Sequence, residues 1–151
     1  IINYFISKGK NVLGVCMGSQ LIAECLGEKV SKMIEPEIGF YKLNILNKSP
    51  LTKGIFNEKL EVFEWHSMEI STKNTISLIA NSDRCKTQIF QFKNNIFGIQ
   101  FHLEINENLI DLYLKKFDPE NKYSFIKKST RELGGFKQIQ KQILDNFLNL
   151  E

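Results

Sequence analysis

The amino-acid sequence predicts a single α/β domain, and three observations lead to this prediction. The chain has 151 residues, of which 42% are hydrophobic and 25% charged, the size and composition of one globular domain. An apolar strand pattern at residues 11–15 runs directly into an amphipathic helix at residues 17–26, which forms a βα unit. Further strand candidates follow, separated by polar turns, before two closing helices. We therefore expect residues 1–151 to form one domain.

The first elements show helical and then strand periodicity. Apolar residues recur at helical spacing from Ile1 to Ile6, and Gly9 suits the position after a helix end. Because a domain seldom begins inside an amphipathic helix, we expect an N-terminal portion to precede Ile1. The strand at residues 11–15 is apolar on both faces, which predicts a parallel and central strand. The next helix is expected to bury an apolar stripe that comprises Leu21, Ile22, Cys25 and Leu26.

Extended patterns dominate the middle of the chain. Residues 30–46 form short extended pieces, and Ser49 followed by Pro50 is typical of a helix start. Residues 93–95 suit a hairpin turn between two strands. The remaining candidates are strands at residues 61–65, 75–80, 88–92 and 96–101, and helices at residues 106–117 and 136–150, separated by a polar stretch that includes Gly134 and Gly135.

Charge and composition argue against several classes of function. The 20 Lys and Arg residues against 17 Asp and Glu residues give a net charge of +3 without a charged block, so we expect no nucleic-acid partner and no polybasic membrane surface. No apolar run approaches the roughly 18 residues of a membrane span. Three cysteines without a C-x-x-C pair favour a reducing compartment, and we expect the cytoplasm. No pair of cysteine or histidine residues has the spacing of a structural zinc site, so we expect no metal. We also expect no cofactor.

A cysteine that follows the first strand is the strongest candidate nucleophile. Residues 14–20, Gly-Val-Cys-Met-Gly-Ser-Gln, match the nucleophile-elbow pattern G-x-nucleophile-x-G. This pattern predicts that Cys16 lies on a sharp turn. We expect that a Cβ atom at position 14 or 18 would collide where the strand meets the helix, and Gly14 and Gly18 have none. The helix N-terminus favours a Cys16 thiolate, and the Met17 N–H is placed to donate into an oxyanion hole. The alternative interpretation is a structural cysteine followed by a tightly packed glycine.

One of the two histidines is placed to act as the base for this nucleophile. His102 lies at the C-terminal end of the last strand candidate, and open α/β sheets bind ligands at that edge. Glu104 is two residues further on, so both side chains project to the same side if the chain stays extended. A carboxylate beside the imidazole would fix its tautomer and complete a triad of Cys16, His102 and Glu104. The alternative is a strand-end histidine beside a solvated glutamate.

Three motifs in this order resemble class I glutamine amidotransferases. Residues 14–20 resemble the family pattern G-x-C-x-G-x-Q, and residues 98–104, Gly-Ile-Gln-Phe-His-Leu-Glu, resemble G-x-Q-F-H-P-E. Residues 64–66, Glu-Trp-His, match the W-x-H or W-H segment that lines the glutamine site in that family. Residues 37–40 and 82–88 resemble segments of the stand-alone members of this family, which are similar to the amidotransferase domain of GMP synthetase.

The resemblance covers about the first two-thirds of the chain and carries an expectation about the fold. It implies a flavodoxin-like, three-layer α/β/α architecture with a mostly parallel sheet and some antiparallel strands. The N-terminal strands of that sheet would be missing from this chain.

The resemblance also implies a role for each matching residue. Cys16 would attack the glutamine carboxamide to give a γ-glutamyl thioester, His102 would protonate the leaving ammonia, and Glu104 would orient the histidine. Met17 would supply an N–H to the oxyanion hole. The implied substrate-binding residues are Gln20, Trp65, Ser67 and Met68, whereas His66 matches a recurrent family histidine with a supporting role.

Three departures from the family pattern modify this expectation. Leu103 replaces the usual proline, so the spacing from His102 to Glu104 survives without the rigid kink. Ser67 and Met68 stand where many relatives have Gly-Asp, which weakens the expectation of a strict preference for glutamine. The family's P-G-G loop, which supplies the second oxyanion N–H upstream of the elbow, is not in this sequence. Because losing one oxyanion donor raises the barrier by about 3 kcal/mol, we expect this chain alone to be nearly inactive.

Three hypotheses of function remain at this point. The leading one is a stand-alone glutaminase that releases glutamate and ammonia, with any synthetase acceptor on a separate polypeptide. The second is hydrolysis of another γ-glutamyl amide or peptide by the same triad. The third is a degenerate amidotransferase fold that serves as a binding or regulatory subunit. The intact Cys16, His102 and Glu104 count against the third hypothesis, whereas Leu103 and Met68 favour it weakly.

Overall fold

The structure, a computed structural model, describes most of the chain. The described residues are 1–55, 60–73, 75–118, 120, 122–124, 126 and 130–150. In these ranges no helix combines the length and apolarity needed to cross a membrane. The helices are α1 (Ile2–Ser7), α2 (Met17–Cys25), α3 (Glu107–Phe117) and α4 (Thr130–Leu148), with a 3-10 turn at Pro50–Thr52. The strands are β1 (Val12–Val15), β2 (Lys29–Lys42), β3 (Asn44–Ile45), β4 (Glu61–Ser71), β5 (Ser77–Asn81), β6 (Ile89–Phe92) and β7 (Ile96–Ile99).

A five-stranded sheet forms the centre of the described chain, in the order β1-β7-β6-β5-β3. β1 pairs in parallel with β7, whereas the other three pairs are antiparallel. The three-residue turn between β6 and β7 is too short for the crossover that parallel strands require. β2 and β4 form a separate antiparallel pair, with a register shift between Lys32 and Glu37.

Helices cover both faces of the five-stranded sheet. Successive residues of a strand point to opposite faces. Ile96 accordingly packs in a cluster with Ile22 and Ala23 of α2, whereas the next residue, Phe97, belongs to a larger cluster. This larger cluster includes, from α3 and α4, Ile110, Leu114, Leu133, Phe136, Ile139 and Ile143. The arrangement confirms the three-layer α/β/α fold.

The sheet differs from the sequence prediction in two respects. Within the described residues it is mixed rather than mostly parallel, with one parallel and three antiparallel pairs. β1 was expected to be central, yet among these residues it pairs with β7 alone and lies at the edge. Its two faces are apolar because Leu13 and Val15 pack against the larger cluster while Val12 packs against the smaller one.

The buried face of α2 also differs from the predicted stripe. Gly18 and Ile22, one turn apart, are the residues that approach β1, and Ala23 is buried beside them. Leu21 and Cys25 point away from this face and are exposed. The close approach of the helix at Gly18 therefore sets which side of α2 is covered.

The last helix begins earlier than the sequence predicts. α4 starts at Thr130, so Gly134 and Gly135 lie inside the helix rather than in a loop before it. Both glycines are exposed, while Leu133 and Phe136 are buried in the larger cluster. Tertiary packing of these apolar residues outweighs the low helix propensity of two glycines.

Candidate active site

Cys16 lies in the sharp turn between β1 and α2. It is the N-cap of α2, with φ 48° and ψ −109°. A positive φ is strained for a residue with a side chain, and such strain concentrates at functional sites. The Cys16 N–H donates to the carbonyl of Ile99 at 2.9 Å, and its carbonyl accepts from the Ser19 N–H at 3.0 Å. These bonds hold the cysteine at the C-terminal edge of the parallel pair β1 and β7.

Gly14 and Gly18 contribute differently to this turn. A Cβ atom on Gly14 would lie 2.6 Å from the backbone C and O of Gly18 and 2.7 Å from Cδ1 of Ile22. No side chain therefore fits where β1 meets α2. A Cβ atom on Gly18 would meet nothing within 4 Å among the described residues. The collision predicted for a Cβ atom on Gly18 is thus not found among the described residues. Gly18 instead contributes the backbone C and O atoms that a side chain on Gly14 would meet.

His102 and Glu104 lie just beyond the end of β7. His102 Nδ1 is 2.6 Å from Oε1 of Glu104. The backbone N–H of His102 donates to the carbonyl of Phe63 in β4 at 3.0 Å, so this segment is held by β4 although β7 has already ended. The His102 side chain is 11% exposed and that of Glu104 is 48% exposed. The histidine is therefore enclosed while its carboxylate partner reaches solvent.

The electrostatics of this pair favour its charged form. Burial lowers the pKa of His102, but contacts with Cys16 and Glu104 outweigh burial and raise the pKa to about 10. Burial raises the pKa of Glu104, yet the bond to His102 overrides it and holds this pKa below its usual value. His102 Nε2 is buried and has no hydrogen-bond partner within the described chain. Because Glu104 holds Nδ1, Nε2 is the nitrogen left to exchange a proton.

Cys16, His102 and Glu104 line one open cavity of about 420 Å³. A volume of this size accommodates a small-molecule ligand. Leu103 lies in the wall, so the residue that departs from the usual proline faces the same space as the predicted triad. The rest of the wall is formed by Leu13 and Val15 of β1, Met17 of α2 and Leu144 of α4.

Two glutamines lie in series beside the cysteine. Gln20 Nε2 donates to Oε1 of Gln100 at 3.3 Å, and Gln100 Nε2 donates to Sγ of Cys16 at 3.7 Å. The sequence motifs pointed to Gln20 but did not assign a role to Gln100. The signal that could have identified Gln100 is a polar residue between apolar neighbours at a strand end. This glutamine is also part of the family pattern G-x-Q-F-H-P-E.

The other predicted substrate-binding residues lie on β4. Ser67 is exposed and Met68 is half-buried, with its carbonyl 2.9 Å from Nδ1 of His66. Within the described residues, neither they nor Trp65 lines the cavity that holds Cys16. The structure thus brings the three residues of the predicted triad together but leaves these β4 residues outside their cavity. The Trp65 ring packs among Phe63, Tyr113, Phe117 and Tyr123.

A buried polar centre lies between β4 and the 82–88 segment, and it comprises Glu37, Glu64, His66, Ser82 and Gln88. His66 Nε2 is 3.0 Å from a carboxylate oxygen of Glu37 and 3.2 Å from one of Glu64. Glu37 also accepts from Ser82 Oγ at 2.6 Å and from Gln88 Nε2 at 2.7 Å. These contacts give a structural role to residues from each of the motifs at 37–40, 64–66 and 82–88.

The protonation of this centre follows from its burial. Desolvation raises the pKa of Glu64 to about 7. Burial lowers the pKa of His66, but the hydrogen bonds to Glu37 and Glu64 outweigh it and raise this pKa to about 10. Near neutral pH His66 is therefore protonated, while burial disfavours the ionised form of Glu64 beside it.

Cys85 lies next to the buried polar centre. Its Sγ, His66 and Glu37 offer possible metal-ligand atoms within 4.8 Å of one another. Glu37 already accepts three hydrogen bonds, and the Cys85 thiol donates to the carbonyl of Thr87 at 3.6 Å. Burial raises the pKa of Cys85 to about 12, so without a metal ion it is a thiol at neutral pH. Hydrogen bonds within the protein are therefore sufficient to explain why Glu37, His66 and Cys85 lie close together.

Comparison with known protein families gives one strong match. The family described as glutamine amidotransferase class-I matches residues 1–117. The glutamine-hydrolyzing GMP synthase subunit from Sulfurisphaera tokodaii is 36% identical over 106 residues, which cover 69% of this chain and 56% of the relative. The corresponding subunit from Saccharolobus solfataricus is 36% identical over 96 residues, or 62% of this chain and 50% of the relative. The chain spans about half the length of these relatives.

Solved structures agree on the fold. A glutamine amidotransferase from Thermotoga maritima superposes with a TM-score of 0.82 at 23% identity, covering 98% of this chain and 66% of that protein. Another from Methylobacillus flagellatus gives a TM-score of 0.86 at 18% identity, covering 99% of this chain and 67% of that protein. At these identities the likeness concerns the fold.

Proposed function

The chain belongs to the class-I glutamine amidotransferase family, and from this premise we propose that it hydrolyses the side-chain amide of glutamine to glutamate and ammonia. The observation that carries the proposal is that Cys16, in a strained elbow, shares one cavity with the hydrogen-bonded pair His102 and Glu104. We further propose that residues 1–151 act as one domain, because buried residues of α4 belong to the same cluster as the sheet.

The proposed reaction proceeds through a γ-glutamyl thioester. The Cys16 thiolate attacks the amide carbon of glutamine, and the oxyanion accepts a hydrogen bond from the Met17 N–H in the first turn of α2. His102 Nε2 donates a proton to the nitrogen, which leaves as ammonia. His102 Nε2 then takes a proton from a water molecule. The water oxygen attacks the thioester, which releases glutamate and frees Cys16. Glu104 holds Nδ1 throughout, so that the imidazole keeps its orientation.

Four further residues are proposed to bind the substrate. Gln20 is the best placed of these, because it is joined to Cys16 through Gln100. Ser67 and Met68 would act through their backbone, since the Ser67 side chain faces solvent. Trp65 would border the site indirectly, through Tyr113, whose ring packs against both Trp65 and His102.

The ammonia acceptor is proposed to lie on a separate polypeptide. The curated relatives are subunits of GMP synthase, which supports a synthetase as the partner. The proposed chemistry needs a cysteine, a histidine and water, and it draws on no cofactor, nucleic acid or membrane.

The test is covalent labelling by a glutamine-mimicking diazo-ketone. The protein and a Cys16→Ser control are incubated with the reagent, and their intact masses are measured. We expect one adduct on the parent, none on the control, and protection by excess glutamine. A folded parent without an adduct would refute the proposal. An ammonia-release assay on residues 1–151 alone tests the prediction that this segment by itself has little activity.

A second candidate is hydrolysis of another γ-glutamyl amide or peptide. It is favoured by Leu103, which lies in the cavity wall in place of the usual proline, and by Ser67 and Met68 in place of Gly-Asp. Competition distinguishes the two substrates. If γ-glutamyl peptides protect Cys16 from the diazo-ketone better than glutamine does, this second candidate is supported. A folded protein in which Cys16 takes no adduct, with no activating partner or other substrate found, would favour a purely binding role.

A further inference from the structure

Gln100 is a buried amide whose hydrogen bonds point at the nucleophile. The residue is 1% exposed. Its Oε1 accepts from Gln20 at 3.3 Å and its Nε2 donates to Sγ of Cys16 at 3.7 Å. A buried amide without partners would be costly, so these two bonds decide where the side chain can lie.

The backbone fixes Gln100 in place. Its N–H donates to the carbonyl of Gln88 at 2.8 Å, directly after β7. Gln88 is itself bonded to Glu37 at 2.7 Å within the buried polar centre. The amide that faces Cys16 is therefore held by the fold on one side and by Gln20 on the other.

We infer that Gln100 is a positioning residue for the nucleophile, whose amide N–H stabilises the Cys16 thiolate and fixes its Sγ while Gln20 holds the amide in the donating orientation. This inference deepens the proposed function, and rests on it for the role of the thiolate in catalysis. An N–H that donates to an anion forms a stronger bond than one that donates to a neutral thiol, so Gln100 favours the thiolate. His102 and Gln100 then act on the same sulfur by different means, one exchanging a proton and the other donating a fixed hydrogen bond.

The test measures the reactivity of Cys16 as a function of pH. The rate of alkylation by iodoacetamide is followed from pH 5 to 10, with peptide mapping to resolve the three cysteines. Gln100→Met keeps the length of the side chain but removes the donor. Gln20→Met leaves Gln100 in place but removes the group that holds it. Gln91→Met is the matched control, because the Gln91 amide bonds Ser49 and the Lys93 carbonyl instead of Cys16.

The other two cysteines serve as internal standards. Cys25 is exposed at the C-terminal end of α2, the helix that follows the Cys16 turn, so its alkylation rate reports the reactivity of an ordinary exposed thiol. Cys85 is buried, so its alkylation reports loss of the fold. We expect Gln100→Met to raise the midpoint of Cys16 alkylation by about one pH unit, which is roughly tenfold slower reaction below the midpoint. Gln20→Met should shift it in the same direction by less, and Gln91→Met should leave it unchanged.

Each outcome decides the inference. An unchanged Cys16 midpoint in folded Gln100→Met overturns it, as does an equal slowing at Cys25. If Gln100→Met makes Cys85 reactive, Gln20→Met decides, and no upward shift there overturns the inference. Alkylation requires no glutamine, so its result is independent of the proposed activity. A midpoint shift without glutamine hydrolysis would refute the function and keep the role of Gln100, whereas hydrolysis without a shift would do the reverse.

Discussion

Adding one methyl group at Gly14 should break the elbow, because two backbone segments meet there. The Cβ of Gly14→Ala would lie 2.6 Å from the C and O atoms of Gly18 and 2.7 Å from Cδ1 of Ile22. Ordinary contacts begin near 3.4 Å, so α2 would have to move away from β1 by close to 1 Å. Overpacking of this kind destabilises by about 1–3 kcal/mol, and backbone atoms place it at the upper end. A displacement of about 1 Å at Cys16 should also slow the proposed glutamine hydrolysis by roughly a hundredfold.

Gly18→Ala is the matched control for Gly14→Ala, since it makes the same change four residues away. Its Cβ would meet nothing within 4 Å among the described residues, and it lies within α2. Alanine is a better helix former than glycine by up to about 1 kcal/mol, so this variant should be neutral or more stable. Urea denaturation of both variants measures the two free energies of unfolding. Equal destabilisation by the two alanines would refute the packing argument.

Three other predictions follow from charges and from α4. Glu104→Gln should lower the pKa of His102 from about 10 towards its usual value, measured by NMR of the ring protons, with His66 as the unchanged reference. The pKa of Glu64 rises from 4.5 to about 7 on folding, so the stability it supports is present below pH 4.5 and is lost as pH rises through 7. Relative to Glu64→Gln, the wild type should lose up to about 3 kcal/mol across this window in urea denaturation, and a constant difference would contradict this. Gly134→Ala should stabilise the protein by about 0.5–1 kcal/mol, because its Cβ meets open space inside a helix, and a lower melting temperature would count against it.

The elbow and the hairpin could be predicted from the sequence because both depend on neighbouring residues. The pattern around Cys16 requires a strand, a tight turn and a helix within a few residues, and the structure contains them. The turn at residues 93–95 joins two strands that pair directly, as expected. His102 and Glu104 are two residues apart, so their contact also depends on local geometry.

The remaining features depend on contacts between distant segments. The bond from Gln20 to Gln100 joins residues 80 positions apart, and the one from Ser82 to Glu37 joins residues 45 apart. No local periodicity encodes such pairs. The start of α4 was missed for a related reason, because burial of Leu133 and Phe136 against the sheet outweighs the loop signal of two adjacent glycines.

The two histidines differ in how their ring nitrogens are bonded, although both are buried. His66 is enclosed between Glu37 and Glu64, and its other nitrogen bonds the Met68 carbonyl, so both ring nitrogens are engaged. His102 has one nitrogen bonded to Glu104, while the other has no partner among the described residues. The Phe63 carbonyl, which precedes Glu64 in β4, accepts the backbone N–H of His102. β4 thus carries His66 and also holds the backbone of His102, which joins the buried polar centre to the cavity of the proposed active site.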